Sequence, residues 1–229
     1  MVRRLKKMDV YLEIGKKRTF AGAIAWPGWC RSGPDESSAL QALIDYGPRY
    51  AHVFRRARLD FKAPDDISVL SVIERLDGNA TTDFGAPDMA PSSDSEPVNS
   101  LELRRFQRIL KACWRTFDEN VKVATGKALR TGPRGGGREL EGIIQHVLGS
   151  DGGYLAQLGW KLGQGDAEEL GKQLDRTRQA ILNGITASAR GEIAARGPRG
   201  GLRWSPRYFV RRLAWHVLDH AWEIEDRIL

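Results

Sequence analysis

After residue 100, the hydrophobic positions recur every three or four residues, the spacing that places them on one face of an α-helix. The repeat runs through residues 106–121, 140–158, 170–185 and 209–224, and glycine-rich segments at 132–137, 163–165 and 197–201 separate these stretches. Asp166 is positioned to open the third helix, and Ser205-Pro206 has the order of an N-cap followed by proline at the first helical position. No one of these helices can bury its apolar face alone, so residues 100–229 are predicted to form a four-helix bundle.

The pattern before residue 100 is that of a small mixed module. Strands are predicted at 10–14, 18–26 and 67–75, and a helix at 37–46. Asp35 is the expected N-cap of that helix, and Gly47-Pro48 interrupts or ends it. Residues 1–84 are therefore predicted to be a ββα(β) module, with the Pro- and Ser-rich segment 85–99 as an exposed linker, and the whole chain to be of the α+β class.

Composition changes this picture little. Hydrophobic residues make up 41% and charged residues 28% of the 229 positions, the proportions of a soluble globular protein. No apolar run approaches the roughly 20 residues of a membrane span, and the basic N-terminus leads into a strand-like segment and not into the apolar stretch of a signal peptide. With Cys30 and Cys113 as the two cysteines, a reduced cytoplasm is the expected compartment.

The net charge of +7 favours anionic partners in general, but its distribution does not favour nucleic acid. Basic residues occur at both ends of the chain, whereas residues 67–100 are mainly acidic. No helix carries the basic stripe with interleaved aromatic residues that is typical of nucleic-acid binding. We therefore expect a solvated basic surface and no nucleic-acid partner.

Three of the four histidines lie in the helical half and carry its candidate chemistry. His216 and His220 are four residues apart, which places them one turn apart on the face that bears Phe209, Leu213 and Ile224. His146 flanks the apolar face of the second helix and can meet the pair across the core. His52, in the other half among arginines, has no ligand-like spacing to another histidine and is expected at the surface.

Three neutral imidazoles inside a bundle suit a divalent ion, Zn²⁺ first, with Ni²⁺ and Fe²⁺ as alternatives. Three protein ligands leave one coordination position open, which is the arrangement of catalytic zinc. Glu223, three residues after His220, is a candidate acceptor that fixes the tautomer of a ligand histidine. The competing interpretation is a set of core histidines satisfied by ordinary hydrogen bonds.

The helical half resembles the DinB superfamily. The resemblance covers roughly residues 100–229 and rests on Ile-Ile-Gln-His146-Val-Leu-Gly and on Arg212-Leu-Ala-Trp-His216-Val-Leu-Asp-His220 with Glu223. It implies a metal-binding four-helix bundle, often dimeric, with His146, His216 and His220 as ligands. It also implies activation of a low-molecular-weight thiol, such as mycothiol or bacillithiol, for transfer or isomerisation. The glycine-rich entry to the second helix and the added N-terminal module depart from that family.

The N-terminal segment resembles the HicB-like antitoxin module, through Val10-Tyr-Leu-Glu-Ile, Ala23-Ile-Ala-Trp-Pro-Gly-Trp-Cys30 and the helix after Asp35. Such modules pair with toxin proteins or other partners, but no DNA-binding motif follows this one. The Trp26–Cys30 cluster is interpreted as a strand end packed on its helix, with ligand contact as the alternative. Cys30 has no sequence feature that would lower the pKa of its thiol.

Two functions of different class follow. The chain is either a metal-dependent thiol transferase or isomerase, or a non-enzymatic module whose HicB-like half binds a protein or RNA. In the enzyme, Arg211 and Arg212 at the start of the last helix are candidates to hold an anionic substrate, but solvated surface charges are the interpretation that we favour.

Overall fold

The structure is a computed structural model that describes residues 7–131, 137–163 and 169–229. Contacts divide the chain into two compact units, Met1–Glu96 and Pro97–Leu229. The first holds a four-stranded sheet with helices, and the second is helical, so the α+β class is confirmed. None of the helices in the described ranges is both long enough and apolar enough to span a bilayer.

The sheet of the first unit consists of β1 (Met8–Ile14), β2 (Thr19–Ala23), β3 (Cys30–Gly33) and β4 (Leu70–Asp77). The strand order is β3-β2-β1-β4. The first three strands are antiparallel, and β4 pairs parallel to β1 with an irregularity between Val10 and Tyr11. Helices α1 (Glu36–Asp45) and α2 (Gly47–Val53) and a 3-10 turn at Ile67–Val69 connect β3 to β4. As predicted, Asp35 caps α1, and Gly47-Pro48 interrupts the helix, because α2 begins there.

The sequence pattern missed β3, because the predicted second strand was too long. The backbone N–H of Trp29 donates to the carbonyl of Trp26 at 3.0 Å, and Gly28 has a φ of +93°. This turn ends β2 at Ala23 and returns the chain as β3. Trp29 is fully buried and its indole N–H donates to the Leu43 carbonyl of α1 at 2.8 Å, so it packs on the helix as expected.

The segment 85–99, which the sequence predicts as a linker, contains local structure and makes contacts with the first unit. A short helix α3 (Ala80–Phe84) precedes it, and a 3-10 turn spans Ser92–Ser95. The buried carboxylate of Glu13 accepts hydrogen bonds from the backbone N–H groups of Asp88 and Met89, at 2.9–3.0 Å. These hydrogen bonds to a carboxylate on β1 attach the segment to the first unit. The boundary between the two units accordingly lies between Glu96 and Pro97.

The second unit contains the four long helices that the sequence pattern predicts: α4 (Ser100–Ala124), α5 (Leu140–Leu158), α6 (Leu170–Ala189) and α7 (Pro206–Arg227). Helix α4 packs on α7 and α6, and α5 packs on α6 and α7. Ser205 caps α7 through its hydroxyl, with Pro206 in the first turn, as predicted. The proposed opening of α6 at Asp166 and the glycines at 132–136 and 165 lie outside the described residues.

Asp151 is an acid in an otherwise apolar stripe of α5. It lies between the buried Val147 and Leu155, and its Oδ1 has no hydrogen-bond partner among the described residues. Burial raises the pKa of Asp151 to about 8, against a smaller opposing effect of the positive charge of Arg178. This carboxyl group is therefore largely protonated at neutral pH.

The Asp151→Asn variant should become progressively more stable than the wild type as the pH rises. The unfolded chain releases this proton near pH 3.8, whereas the folded chain holds it to about 8, so the contribution of Asp151 to the unfolding free energy falls across that window. Thermal unfolding should show similar stability at pH 4.5 and a gain of about 1–3 kcal/mol, roughly 3–10 °C, at pH 8.

The matched control is Asp175→Asn, which removes an exposed acid from α6 and should show no such trend. A stability difference between Asp151→Asn and the wild type that is the same at both pH values would contradict the buried, protonated state of Asp151.

Candidate metal centre

Three histidines from two helices converge in the second unit. His146 lies on α5, and His216 and His220 lie one turn apart on α7, which packs against α5. The ring centroids are 5.1 Å apart for His146 and His216, 4.8 Å for His146 and His220, and 4.6 Å for His216 and His220. One ligand atom of each ring lies within 4.8 Å of the other two. The sequence prediction that these residues meet therefore agrees with the geometry.

The separation of two of the nitrogens is that of ligands to a common ion. The Nε2 atoms of His146 and His216 are 3.3 Å apart. Two nitrogens bound to one tetrahedral zinc at about 2.0–2.1 Å lie roughly 3.3–3.4 Å from each other. The same distance also fits a weak hydrogen bond between two neutral imidazoles, in which one Nε2 carries the proton. The third imidazole, His220, distinguishes this cluster from a simple pair.

Glu223 occupies the position that the sequence analysis proposed for it. Its Oε2 lies 2.7 Å from Nδ1 of His220, which leaves Nε2 of His220 for a ligand bond. The other oxygen of Glu223 accepts a hydrogen bond from Arg227 at 2.6 Å. A carboxylate behind a histidine fixes its tautomer and ring orientation and increases its basicity.

Arg227 holds this arrangement in place, and the sequence analysis missed it. Its side chain is buried, and besides Glu223 it donates to the carbonyls of Arg130 and Arg138 at 2.8 and 3.0 Å. These carbonyls lie on either side of the undescribed segment 132–136. The i, i+4 spacing of Glu223 and Arg227 on one helix was the available signal for this ion pair.

The electrostatics of the cluster favour neutral imidazoles. Burial lowers the pKa of His216 well below its ordinary value, and His220, His146, Arg212 and Arg138 add to that effect. Burial also lowers the pKa of the half-buried His146, with further contributions from His220 and Arg138 that outweigh the opposing effect of Glu223. Neutral imidazole is the form that binds a metal, so both rings are ready to act as ligands at neutral pH.

The two arginines at the start of α7 are not surface charges, which corrects the interpretation favoured from the sequence. Arg211 is 6% exposed and Arg212 is 8% exposed. Both lie on a helix whose sides are almost all covered by packing, so the polar side chains here are buried with the apolar ones. Arg212 is four residues before His216, a spacing that puts the two side chains on one face.

The other candidates do not join the cluster. His52 is exposed, as expected, and belongs to the first unit. The two cysteines, Cys30 and Cys113, are both buried. Burial raises the pKa of Cys113, so its thiol is a packing group and not a nucleophile. Within the described ranges, the three histidines are the one group of His, Cys, Asp or Glu side chains with the spacing of a metal site.

Replacing Glu223 by glutamine should weaken metal binding without removing a ligand. The amide keeps the size of the side chain but loses the charge that polarises the His220 N–H and pairs with Arg227. We expect the affinity for Zn²⁺ or Co²⁺ to fall by about 10–100-fold, as competition with a chromophoric chelator would measure. Glu225→Gln makes the same charge change at an exposed position of α7 and is the matched control. Equal affinities of the two variants would contradict a role for Glu223 in supporting the site.

No protein-family model matches the chain, and no significant match occurs among curated proteins or solved structures. A functional assignment for this chain therefore rests on the geometry and electrostatics of its own residues.

Proposed function

We propose that residues 100–229 form a DinB-like four-helix bundle that binds one divalent metal ion through His146, His216 and His220. We further propose that the protein uses this ion as a thiol S-transferase or isomerase that acts with a low-molecular-weight thiol. The observation that carries the proposal is the convergence of three imidazoles, with ligand atoms within 4.8 Å of one another, on two packed helices.

Ordinary core histidines are a poorer explanation of this cluster. A buried histidine normally has hydrogen-bond partners for its ring nitrogens. Nδ1 of His216 is buried without a partner among the described residues, and Nε2 of the same ring faces the imidazole of His146. Burial and the neighbouring charges also disfavour protonation of His216, so it cannot gain stability as a cation. A divalent ion between the two rings would bind the facing Nε2 atoms of His146 and His216 together.

The donor set fits zinc and its neighbours. Imidazole nitrogen is a borderline ligand that suits Zn²⁺, Ni²⁺ and Fe²⁺, and three such ligands leave a fourth position open. When bound, the ion supplies a cation that stabilises the deprotonated form of a thiol near neutral pH. Burial favours the unprotonated form of His146 and His216, and the contact with Glu223 orients the His220 ring through its Nδ1.

The His220→Ala variant is the direct test of this proposal. It removes one of three ligands while His216, its neighbour one turn away, stays in place. Mutation of a residue that hydrogen-bonds to a metal ligand typically lowers metal affinity or activity by about 10–100-fold. Because His220→Ala removes a ligand itself, we expect metal affinity and metal-dependent thiol consumption to fall by at least that factor. The variant should keep its helical fold, because the apolar face of α7 through Leu213, Val217 and Ile224 is fully buried and does not include His220.

His52→Ala is the matched control, since it removes an exposed histidine from the first unit. Stability should be compared with metal-free wild type, because a bound ion itself stabilises the folded state. Stoichiometric metal and unchanged thiol consumption in His220→Ala would show that the three histidines are not the working site.

One observation favours a second function, carried by the first unit. The described residues of this unit include none of the three clustered histidines, but they line a cavity of about 710 Å³ whose walls include Trp26, Asp60 and Lys62. A HicB-like interaction module would use such a surface for a partner. A partner that co-purifies with the protein, in the absence of any metal-dependent turnover, would favour this function over the enzyme.

A further inference from the structure

We propose that Arg212 binds a carboxylate of the molecule that occupies the histidine site, so that the substrate or thiol of this protein is a carboxylate-bearing compound. This inference rests on the proposed function for the metal site, and it extends that function by assigning a second binding group and a ligand class.

Among the residues that the structure describes, Arg212 is a buried cation with no carboxylate paired to it. It is 8% exposed, and its Nε and Nη1 atoms are sealed from solvent without a hydrogen-bond partner among the described residues. The other buried arginine near the cluster, Arg227, donates to Glu223 and to two carbonyls. An uncompensated guanidinium in a protein interior is destabilising, so an unpaired one points to an anion supplied from outside the chain.

Two aromatic rings hold the guanidinium beside the histidines. Its central carbon lies 4.9 Å from the ring centroid of Trp215 and 5.5 Å from that of Tyr154. The Tyr154 ring in turn lies edge-on to His216, with centroids 5.5 Å apart. Arg212 is one helical turn before His216, about 6 Å along the axis of α7. These contacts orient the cation, but aromatic faces supply no oxygen acceptors for its N–H groups.

The charge around the cluster also favours an anionic ligand. The positive charges of Arg212 and Arg138 both act on His216. The carboxylate that acts on His146, that of Glu223, is already bound by His220 and Arg227. A neutral ligand would leave this positive potential uncompensated, and a divalent metal would increase it.

A carboxylate matches the shape and charge of this guanidinium. The planar fork pairs with the two oxygens of a carboxylate, and one buried arginine balances one negative charge. The ligand predicted by these groups has a carboxylate within a few bonds of the atom that approaches the histidines.

The experiment compares two thiols of similar size on the full-length protein loaded with Co²⁺. The first is 3-mercaptopropionate, and the second is 3-mercapto-1-propanol, which lacks the carboxylate. Absorbance from sulfur-to-cobalt charge transfer reports binding without any turnover. We expect wild type to bind the carboxylate thiol at least 10-fold more tightly at fixed ionic strength, and Arg212→Gln to reduce this ratio to about 1.

Two further variants separate a binding role from a structural one. Arg212→Lys keeps the charge and should keep part of the preference, and Arg190→Gln removes an exposed arginine of the same unit and should keep all of it. A ratio near 1 in cobalt-loaded wild type, or an unchanged ratio in Arg212→Gln, would overturn the inference and leave the metal site intact. If Arg212→Gln fails to fold, the ratio in Arg212→Lys decides the question, because chelation of cobalt by the carboxylate would leave that ratio at its wild-type value.

A metal-free measurement separates this inference from the proposed function. If the wild type takes up no cobalt, the metal proposal fails, and thermal unfolding with propionate or 1-propanol at constant ionic strength tests Arg212 alone. Propionate should raise the Tm of metal-free wild type more than 1-propanol does, and more than it raises the Tm of Arg212→Gln. Equal shifts for propionate and 1-propanol would overturn carboxylate binding.

Discussion

The site depends on the packing of α5 against α7, because that contact brings one imidazole from α5 to two on α7. Helical periodicity fixes His216 and His220 as neighbours whatever the fold, but His146 can reach them only if the two helices pack at the right height and rotation. The same packing removes His216 from solvent, and this burial lowers the pKa of its ring and keeps the ring neutral. The packing of α5 against α7 therefore explains both why the three rings converge and why the His216 ring is neutral.

The charged groups around the histidines divide into two kinds. Glu223 and Arg227 satisfy each other and tie His220 to the backbone on both sides of residues 132–136. Arg212 carries a buried charge beside two aromatic rings, and its Nε and Nη1 atoms have no hydrogen-bond partner among the described residues. Hydrogen-bonded pairs such as Glu223 and Arg227 make a site rigid. A buried charge without a hydrogen-bond acceptor, such as that of Arg212, can instead bind an anionic ligand. The proposed metal site and the proposed carboxylate site therefore use different residues of α7 and can be tested separately.

The sequence predicted what local spacing determines. The long helices, the cap at Ser205 and the His220–Glu223 pair all follow from contacts within four residues along the chain. Contacts between distant segments could not be predicted in this way. Glu13 holds the backbone of the supposed linker, and a turn after β2 creates the missed strand β3. The burial of Arg212 was missed for the same reason, since an arginine in the first turns of a helix looks solvated until the neighbouring helices are in place.

The proposal that His146, His216 and His220 bind one metal ion together can be tested by X-ray absorption spectroscopy of the zinc-loaded protein, which reports the number, type and distance of the ligands. We expect one zinc per chain with three imidazole nitrogens at about 2.0–2.1 Å and a fourth, light-atom ligand. A first shell of oxygen atoms with at most one imidazole, or a spectrum unchanged by His146→Ala, would contradict it.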